Sequence, residues 1–255
     1  MSTALPGCTS PRAASAASTG PAAAAVRPVP PARRAPVFRG RIGSRPGSGF
    51  HAAPHRYRLY LAPPGPASVR IAVTHRLLGL DAVLPVTLLP PAAPDAGHPV
   101  LRGLYEATRH RCEGPFAAPV LGDGWSGRIV SNHAPDIVRD LAGCFGTGTG
   151  PELFPAALTR DIARFEALLE ECGDEGLREA ERRLAGRGHL LGETLTAADV
   201  HLWSRLPAPG ERPVLDAYRQ RLARTHPAFR GDAPRRTPPR PQNEGPAGRP
   251  GTPVR

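Results

Sequence analysis

The sequence predicts an α/β domain followed by a shorter all-α domain, with a tail on either side. Residues 51–146 alternate between strand and helix signals, whereas residues 150–229 carry helical signals alone. The 255-residue chain has a net charge of +11, and that charge is concentrated at its two ends. Alternating elements favour a sheet covered by helices, and helical segments without strands favour a packed helical domain.

The two tails differ from the middle of the chain in charge and composition. Residues 1–50 hold seven Arg and no acidic residue, and residues 230–255 hold six Arg against two acidic residues. Residues 51–229 hold twenty Arg and twenty acidic residues, so they are neutral. Both tails are rich in Pro and poor in large apolar residues, so we expect them to be disordered, with a short lead-in to the fold from residue 37. The N-terminal tail also has the Arg and Ser of a transit peptide, although its prolines disfavour an amphipathic helix.

Charge and composition also exclude several classes of protein. A pI of about 10.9 is typical of nucleic-acid binding, but the neutral middle offers no basic groove, so only loose binding through the tails is expected. No run of 18 apolar residues indicates a membrane span. The four cysteines lack CxxC spacing, so we predict no metal site and reduced thiols in a cytoplasmic protein.

The elements of the first domain follow from local patterns. Polar and apolar residues alternate in the first strand, a proline opens the first helix, and an apolar run is typical of a buried parallel strand. In chain order we expect a strand at Arg56–Leu61, a helix at Pro66–Leu80, a strand at Ala82–Leu89, a helix at His98–Arg109, strands at Ala118–Leu121 and Gly127–Ser131, and a helix at Ala134–Phe145. The order β-α-β-α-β-β-α is that of a thioredoxin-like domain.

The second domain shows only helical signals. Leu158, Ile162, Phe165 and Leu169 recur at spacings of four, three and four residues, which predicts one buried helical face. A short, charged helix is expected at Gly176–Leu184. Thr196 and Asp199 have the spacing of a capping box, so a helix should begin there and bring Trp203 to the core. A last helix should begin at Pro213 with an apolar face formed by Val214, Tyr218 and Leu222.

Several local strings resemble the glutathione transferase superfamily, and more narrowly its glutathionyl-hydroquinone reductases, the Xi class. The strings are Phe38-Arg39, Gly49-Phe50, Arg56–Leu61, Pro66, Arg70, Leu78–Leu80, Ala118–Leu121, Ile129–Asn132, Leu153–Pro155, Leu190–Glu193 and Leu195–Asp199. They cover most of residues 38–229, and their order and spacing make the resemblance more specific than any single string. The resemblance implies a thioredoxin-like domain and a helical domain, which is shortened here after Arg205.

The resemblance also implies a thiol-transfer mechanism. In that class a Cys-Pro-Trp-Ala-His-Arg string begins the first helix, and its thiolate attacks the sulfur of a glutathionyl-hydroquinone. A mixed disulfide forms, the hydroquinone leaves, and a second glutathione resolves the disulfide. Here the string reads Gly-Pro-Ala-Ser-Val-Arg, so Gly65 occupies the position of the nucleophile and only Pro66 and Arg70 are retained. We therefore predict no catalytic residue of the family kind.

Binding of glutathione is expected to be weakened as well. The resemblance places Arg70, Ala118 and Pro119 in the glutathione site, where the backbone beside a cis-proline would pair with the cysteinyl part of the ligand. That proline can equally serve the fold alone. The family's Glu and Ser at the start of the third helix are replaced by His133 and Ala134, which removes two hydrogen-bonding partners of the γ-glutamyl end.

Other residues offer weaker candidates for activation of a thiol. Ser68 is a weak catalytic candidate, because other classes use a Ser hydroxyl near this place, and it can equally satisfy a first-turn backbone group. Tyr60 lies where still other classes use a Tyr, but its pattern position is structural. Cys112 lies in a loop beside an Arg, and Cys144 reads as a buried apolar residue. Arg70 and His133 are cationic or protonatable groups that can meet an anion.

The sequence therefore predicts a protein of the glutathionyl-hydroquinone reductase type with weak or no thiol transfer. Glutathione is the expected co-substrate and partner, no cofactor is expected to be bound, and a homodimer is expected from the family. The alternative is a non-catalytic scaffold that binds a partner through the helical domain or the Arg-rich tails. An eroded gene product with a marginal fold is a third hypothesis.

Overall fold

A mixed four-stranded sheet organises the N-terminal half of the computed structural model, which describes residues 35–43, 49–92, 97–146, 148 and 150–230. The spatial order of the strands is β2-β1-β3-β4. Strand β1 runs parallel to β2 and antiparallel to β3, and β3 pairs antiparallel with β4. The strands are β1 (Tyr57–Leu61), β2 (Val86–Leu88), β3 (Val120–Asp123) and β4 (Arg128–Ser131). The predicted thioredoxin-like arrangement is confirmed.

Seven α-helices occupy the described residues, three with the sheet and four in the C-terminal half. They are α1 (Pro66–Leu77), α2 (Arg102–Thr108), α3 (Ala134–Cys144), α4 (Thr159–Glu171), α5 (Gly173–Leu184), α6 (Ala197–Ser204) and α7 (Pro213–Thr225). The β-α-β-α-β-β-α order and the helical second half agree with the sequence pattern. The described residues belong to one compact unit. Most of the two proposed tails lies outside the described residues.

The segment after α1 differs from its predicted form. The helix ends at Leu77 rather than Leu80, because Gly79 takes a φ of +64°, in the left-handed region where a side chain is disfavoured. A 3-10 turn then occupies Leu80–Ala82, so β2 is three residues long instead of the eight of Ala82–Leu89. Leu80 and Leu84 are fully buried without belonging to a strand. Of the predicted buried strand Ala82–Leu89, only Leu84, Val86 and Leu89 are buried, so both its length and its burial throughout were wrong.

Helix α1 is buried on nearly every side, which its sequence pattern did not indicate. Ser68 and all residues from Arg70 to His75 are buried, since α3 packs against the helix on one side and α6 on another. The polar side chains of this helix must therefore find partners within the protein. The hydroxyl of Thr74 donates to the carbonyl of Arg70, and the ring of His75 bonds the carbonyl of Leu84 through Nε2 at 2.8 Å.

Residues 35–43 include the start of the lead-in that the sequence predicts from residue 37. Residues 35–43 lie along β4 and α3, where Arg39 forms an antiparallel bridge with Ser131. The backbone N–H of Phe38 donates to Asn132 Oδ1 at 2.7 Å, and Ile42 is 4% exposed within the core. This stretch is held by hydrogen bonds and ion pairs to Asp136 and Asp140 of α3, contacts that its composition does not indicate.

The helical half follows the predicted periodicity, with one correction. Ile162, Phe165 and Leu169 of α4 are buried as expected. On α7 the buried face begins at Leu215 rather than Val214, which is 39% exposed. The spacing of Leu215 to Tyr218 and Leu222 is three and four residues, which follows the helical repeat better than two steps of four. Trp203 packs edge-on against Phe229 at the border of the core.

The start of α6 is built on a buried carboxylate. Asp199 is fully buried, and its Oδ2 accepts hydrogen bonds from the backbone N–H and the hydroxyl of Thr196, as the capping-box spacing predicts. Its Oδ1 accepts from the N–H of Leu190 at 2.9 Å and from the hydroxyl of Tyr218 at 2.6 Å. Burial acts to raise the pKa of Asp199, but these bonds and nearby His189 outweigh it and lower that pKa. One side chain thus joins α6, α7 and the loop before α6.

Replacement of this carboxylate tests how much the helical half depends on it. Asp199→Asn keeps the size but turns an N–H group toward the N–H and hydroxyl of Thr196, so we expect a loss of about 2–4 kcal/mol in the free energy of unfolding. Chemical denaturation measures this loss. The exposed Asp161→Asn in α4 is the control and should change stability by less than about 0.5 kcal/mol. Equal stability of the two variants would contradict the assignment.

Candidate functional site

A cleft of about 410 Å³ lies between the two halves of the fold. The starts of α1 and α3 border it on one side, and α4, α6 and the residue after α6 border it on the other. Its lining consists of Pro66, Ala67, Arg70, Asn132, His133, Ala134, Pro135, Glu170, His201, Ser204 and Arg205. Because the start of α1 is where the resemblance places the reactive group, this cleft is the candidate functional site.

Gly65 caps the N-terminus of α1 next to this cleft. Its φ of −52° and ψ of 131° are open to any residue, so the backbone does not require glycine here. A Cβ atom would lie 3.3 Å from the carbonyl oxygen of Ala62, a contact that a small local adjustment relieves. The position accepts a side chain, and the chain supplies none. No nucleophile therefore stands at the helix start.

Ser68, the weak catalytic candidate, is buried and its hydroxyl is already used in a hydrogen bond to the backbone. It is 2% exposed, and its Oγ accepts a hydrogen bond from the backbone N–H of Ala62 at 3.0 Å. Its place in the first turn therefore favours the structural interpretation. Ala118 and Pro119 precede β3, and the peptide bond between them is cis, as the resemblance implies. Among the described residues, neither these two nor Ser68 belongs to the lining of the cleft.

Arg70 is tied to the helical half by a buried ion pair. Its Nη2 donates to Oε1 of Glu166 in α4, and the exposed fractions of the two side chains are 3% and 9%. Arg139 of α3 donates to the other oxygen of Glu166 at 3.3 Å. Burial lowers the pKa of Arg70, and the charge of Glu166 acts in the opposite direction. The arginine that the resemblance assigns to glutathione is thus engaged by a glutamate.

A second charged group faces the same cleft from α4 and α6. The Nε2 of buried His201 lies 3.1 Å from Oε1 of Glu170, and Arg205 donates to the other oxygen of that carboxylate. Burial, together with the charges of Arg70 and Arg205, lowers the pKa of His201 to about 3. His201 is therefore neutral at physiological pH, with its proton on Nε2.

The start of α3 holds His133 and Ala134, at the positions where the resemblance leads one to expect a carboxylate and a hydroxyl. His133 precedes the helix, and its Nδ1 lies 3.0 Å from Oδ2 of Asp136. The same carboxylate accepts a bond from Arg39 at 2.7 Å, and mainly for this reason the pKa of Asp136 is lowered, against the opposing effect of burial. Asn132 binds the N-terminal segment through Phe38. These side chains are thus partly used in holding residues 35–43.

None of the three cysteines among the described residues lines the cleft. Cys112 is buried in the loop after α2, Cys144 donates to the carbonyl of Ile42, and Cys172 is exposed between α4 and α5. Burial is the main reason why the pKa of Cys144 is raised. Within the described ranges, no cluster of His, Cys, Asp and Glu has the arrangement of a metal site. Nor does any helix there combine the length and hydropathy of a membrane span.

Sequence reasoning found part of this site and missed the rest. Gly65, Arg70, His133 and Ala134 were recognised because they stand in strings with a fixed place along the chain. The helical half supplies Glu166, Glu170, His201 and Arg205, and none of them stood out in the sequence. Each is a polar residue in an ordinary helical pattern, and only the packing of α4 and α6 against α1 brings it to the cleft.

Similarity to known structures identifies the fold. The structure resembles the glutathione S-transferase Xi from Phanerochaete chrysosporium with a TM-score of 0.66 and 23% identity, over 77% of this chain and 82% of that one. It also resembles the glutathione-bound form of YqjG from Escherichia coli, with a TM-score of 0.57 and 24% identity, over 66% and 70% of the two chains. The protein therefore has a glutathione transferase fold.

Two proteins similar in sequence point to one class within the glutathione transferases. The chain is 27% identical to the glutathionyl-hydroquinone reductase PcpF of Sphingobium chlorophenolicum over 215 residues, which is 68% of this chain and 67% of that protein. It is 26% identical to the glutathionyl-hydroquinone reductase YqjG of Escherichia coli over 66% of this chain and 64% of that one. The chain thus spans about two thirds of the length of these curated relatives. No family model matches it. These likenesses support a Xi-like place within the glutathione transferase superfamily.

The neutral state of His201 gives the protein a specific sensitivity to acid. In the unfolded chain His201 has its ordinary pKa of about 6.5, whereas in the folded chain it stays neutral down to about pH 3. Between these two values the unfolded chain binds a proton that the folded chain does not bind. The free energy of unfolding therefore falls as the pH falls through this range. On going from pH 6.5 to pH 5, the free energy of unfolding should fall by about 1.5 kcal/mol less in His201→Gln than in the wild type. Urea unfolding at the two pH values measures the difference.

Two features of this experiment isolate the histidine. Carboxylates of ordinary or lowered pKa titrate mostly below pH 5, so they contribute little within the chosen range. The exposed His110→Gln is the control and should keep the pH dependence of the wild type. If His201→Gln and His110→Gln behave alike, His201 is not the buried neutral group described here.

Proposed function

We propose that this protein is a glutathione transferase-like protein of the glutathionyl-hydroquinone reductase type in which glutathione-dependent thiol transfer is weak or lost. The carrying observation is Gly65 at the N-cap of α1. A helix N-terminus stabilises a thiolate and lowers its pKa, which is why a cysteine there is reactive. Gly65 keeps the helix start and removes the sulfur, so no mixed disulfide can form at this position.

Of the other parts of the proposed glutathione site, the backbone contact is retained, whereas the charged side chains are engaged by other residues. The cis peptide Ala118–Pro119 is retained, and its backbone can pair with a bound cysteinyl group whatever the side chain. Arg70 is held by Glu166, and His133 is held near Asp136, so both are less free to bind the ends of a tripeptide. This combination supports weak binding of glutathione rather than tight binding.

Partner and location are proposed on the same basis. Neighbouring structures include glutathione-bound relatives, which supports glutathione as the small-molecule partner and co-substrate of any surviving activity. We propose a cytoplasmic protein that forms a homodimer, as expected for the family, without membrane association. A non-catalytic scaffold that binds through the helical domain or the Arg-rich tails is the alternative. It gains support if glutathione fails to bind.

Weak binding of glutathione predicts a small thermal shift of the full-length protein. With 10 mM glutathione and a dissociation constant near 1 mM, the ligand stabilises the fold by about 1.4 kcal/mol and raises the melting temperature by about 3–6 °C. Differential scanning fluorimetry measures this shift. The controls are 10 mM cysteine and 10 mM glutamate, which should each give less than half of it. A cooperative melt without any shift would contradict glutathione binding and favour the scaffold.

Restoration of the sulfur tests whether Gly65 is the cause of the lost chemistry. Gly65→Cys places a thiol at the start of α1, where the helix favours the thiolate, so we expect reduction of a glutathionyl-hydroquinone at a rate at least about tenfold above the wild type. Release of the hydroquinone, measured by chromatography, reports the rate.

The matched control is Gly65→Ser, which has nearly the same size without a thiolate. It should react as slowly as the wild type. A wild-type rate typical of an enzyme would sink the proposed loss of activity. Equal rates for the Cys and Ser variants, with glutathione binding intact, would show that more than the nucleophile is missing.

A further inference from the structure

Among the described residues, four buried nitrogen atoms on side chains that line the cleft make no hydrogen bond: Nε of Arg70, Nδ1 of His133, Nδ1 of His201 and Nε of Arg205. Nδ1 of His133 lies 3.0 Å from Oδ2 of Asp136, which leaves the other three without a nearby charged partner. Arg70 and His201 are 2% and 1% exposed, so water does not compensate these groups freely. Buried polar atoms are nearly always paired, so unpaired nitrogen atoms on three residues that line one cavity call for an explanation, and a ligand bound there would supply their partners.

The charges around these atoms favour an anion. Arg70 and Arg139 share Glu166, while Arg205 pairs with Glu170, so three guanidinium groups meet two carboxylates. The starts of α1 and α3 border the same cleft, and helix N-termini carry partial positive charge. Burial is the main reason why the pKa of His201 is lowered, and the charges of Arg70 and Arg205 lower it further. A negative group in the cleft would offset the surplus positive charge.

The hydrogen-bonding pattern adds a second requirement. The two arginine Nε–H groups are donors. Because Nε2 of His201 gives its proton to Glu170, Nδ1 of the neutral ring is an acceptor. A ligand that satisfies all three atoms therefore carries an anionic oxygen together with a hydroxyl group. The N-terminal domain supplies the apolar part of the lining, from Pro66, Ala67, Ala134 and Pro135, which suits a ring or a short carbon chain.

We propose that the cleft binds a small hydroxylated organic acid, its carboxylate held by Arg70 and Arg205 and its hydroxyl donated to His201. The acid occupies the cleft of the proposed glutathione site but needs no sulfur and no glutathione. Its binding can therefore persist in a chain that fails to respond to glutathione. Thiol transfer can equally fail without affecting it.

Titration calorimetry of the full-length protein with three probes of similar shape tests the site. We expect 3-hydroxybenzoate to bind, and 3-hydroxybenzamide, which lacks the charge, to bind at least about tenfold more weakly because a charge-assisted bond is lost. Benzoate, which lacks the hydroxyl, should also bind more weakly. If the amide binds as well as the acid, or if no probe binds, the proposal is wrong. Equal affinities for benzoate and 3-hydroxybenzoate would remove His201 from the site.

A matched pair of variants separates binding from folding. Arg205→Gln removes one donor while leaving its partner Glu170 half exposed, and it should weaken 3-hydroxybenzoate at least about tenfold. Arg212→Gln removes another arginine that forms ion pairs, in this case with Asp174 and Glu181, but Arg212 does not line the cleft. It should bind as the wild type does, and melting curves establish that both variants are folded. Equal affinity of the two variants would overturn the proposed site.

Discussion

The buried ion pair between Arg70 and Glu166 joins the two halves of this protein. Arg70 lies on α1, the helix that is covered by α3 on one side and α6 on another, and Glu166 lies on α4. A buried charge is costly unless it is paired, so neither half can move away without exposing or isolating a charged group. The pair therefore links α4 to α1 beside the cleft, in addition to the apolar core that the two halves share.

The charged residues of the cleft lie next to the ion pair between Arg70 and Glu166. Since Arg70 is engaged from the helical side, Glu170, His201 and Arg205 follow next to it on α4, α6 and the end of α6. The result is a polar wall with surplus positive charge beside a helix start that carries only Gly65. Positive charge beside a helix start would stabilise a thiolate, but Gly65 supplies no sulfur for it to act on. The charged groups of the cleft are therefore available to a bound anion, as proposed above.

Arginine and aspartate pairs hold the edges of the fold. Asp140 of α3 accepts bonds from Arg41 at 2.8 Å and from the backbone N–H of Ile42 at 2.9 Å, which fixes residues 35–43 to the domain. Arg56 makes two bonds to buried Asp123 at the turn between β3 and β4. All 33 basic residues counted in the chain are arginines, whose planar group binds a carboxylate through two parallel bonds. The arginine content alone would suggest binding of nucleic acid. In the described part of the chain, several of these arginines instead form ion pairs that hold segments of the fold together.

The sequence by itself determined the order of the elements, the capping box of Thr196 and Asp199, and the missing side chain at Gly65, because each depends on residues close together in the chain. The tertiary structure alone decided the length of β2, the contacts of residues 35–43 with α3 and the polar wall of the cleft. The partners Arg70 and Glu166 are 96 residues apart, and no local pattern links them. Helical periodicity reports which face of a helix is buried, whereas the partner of a buried charge depends on how separate elements pack. That physical difference is why the family-like half of the site was predictable and the helical half was not.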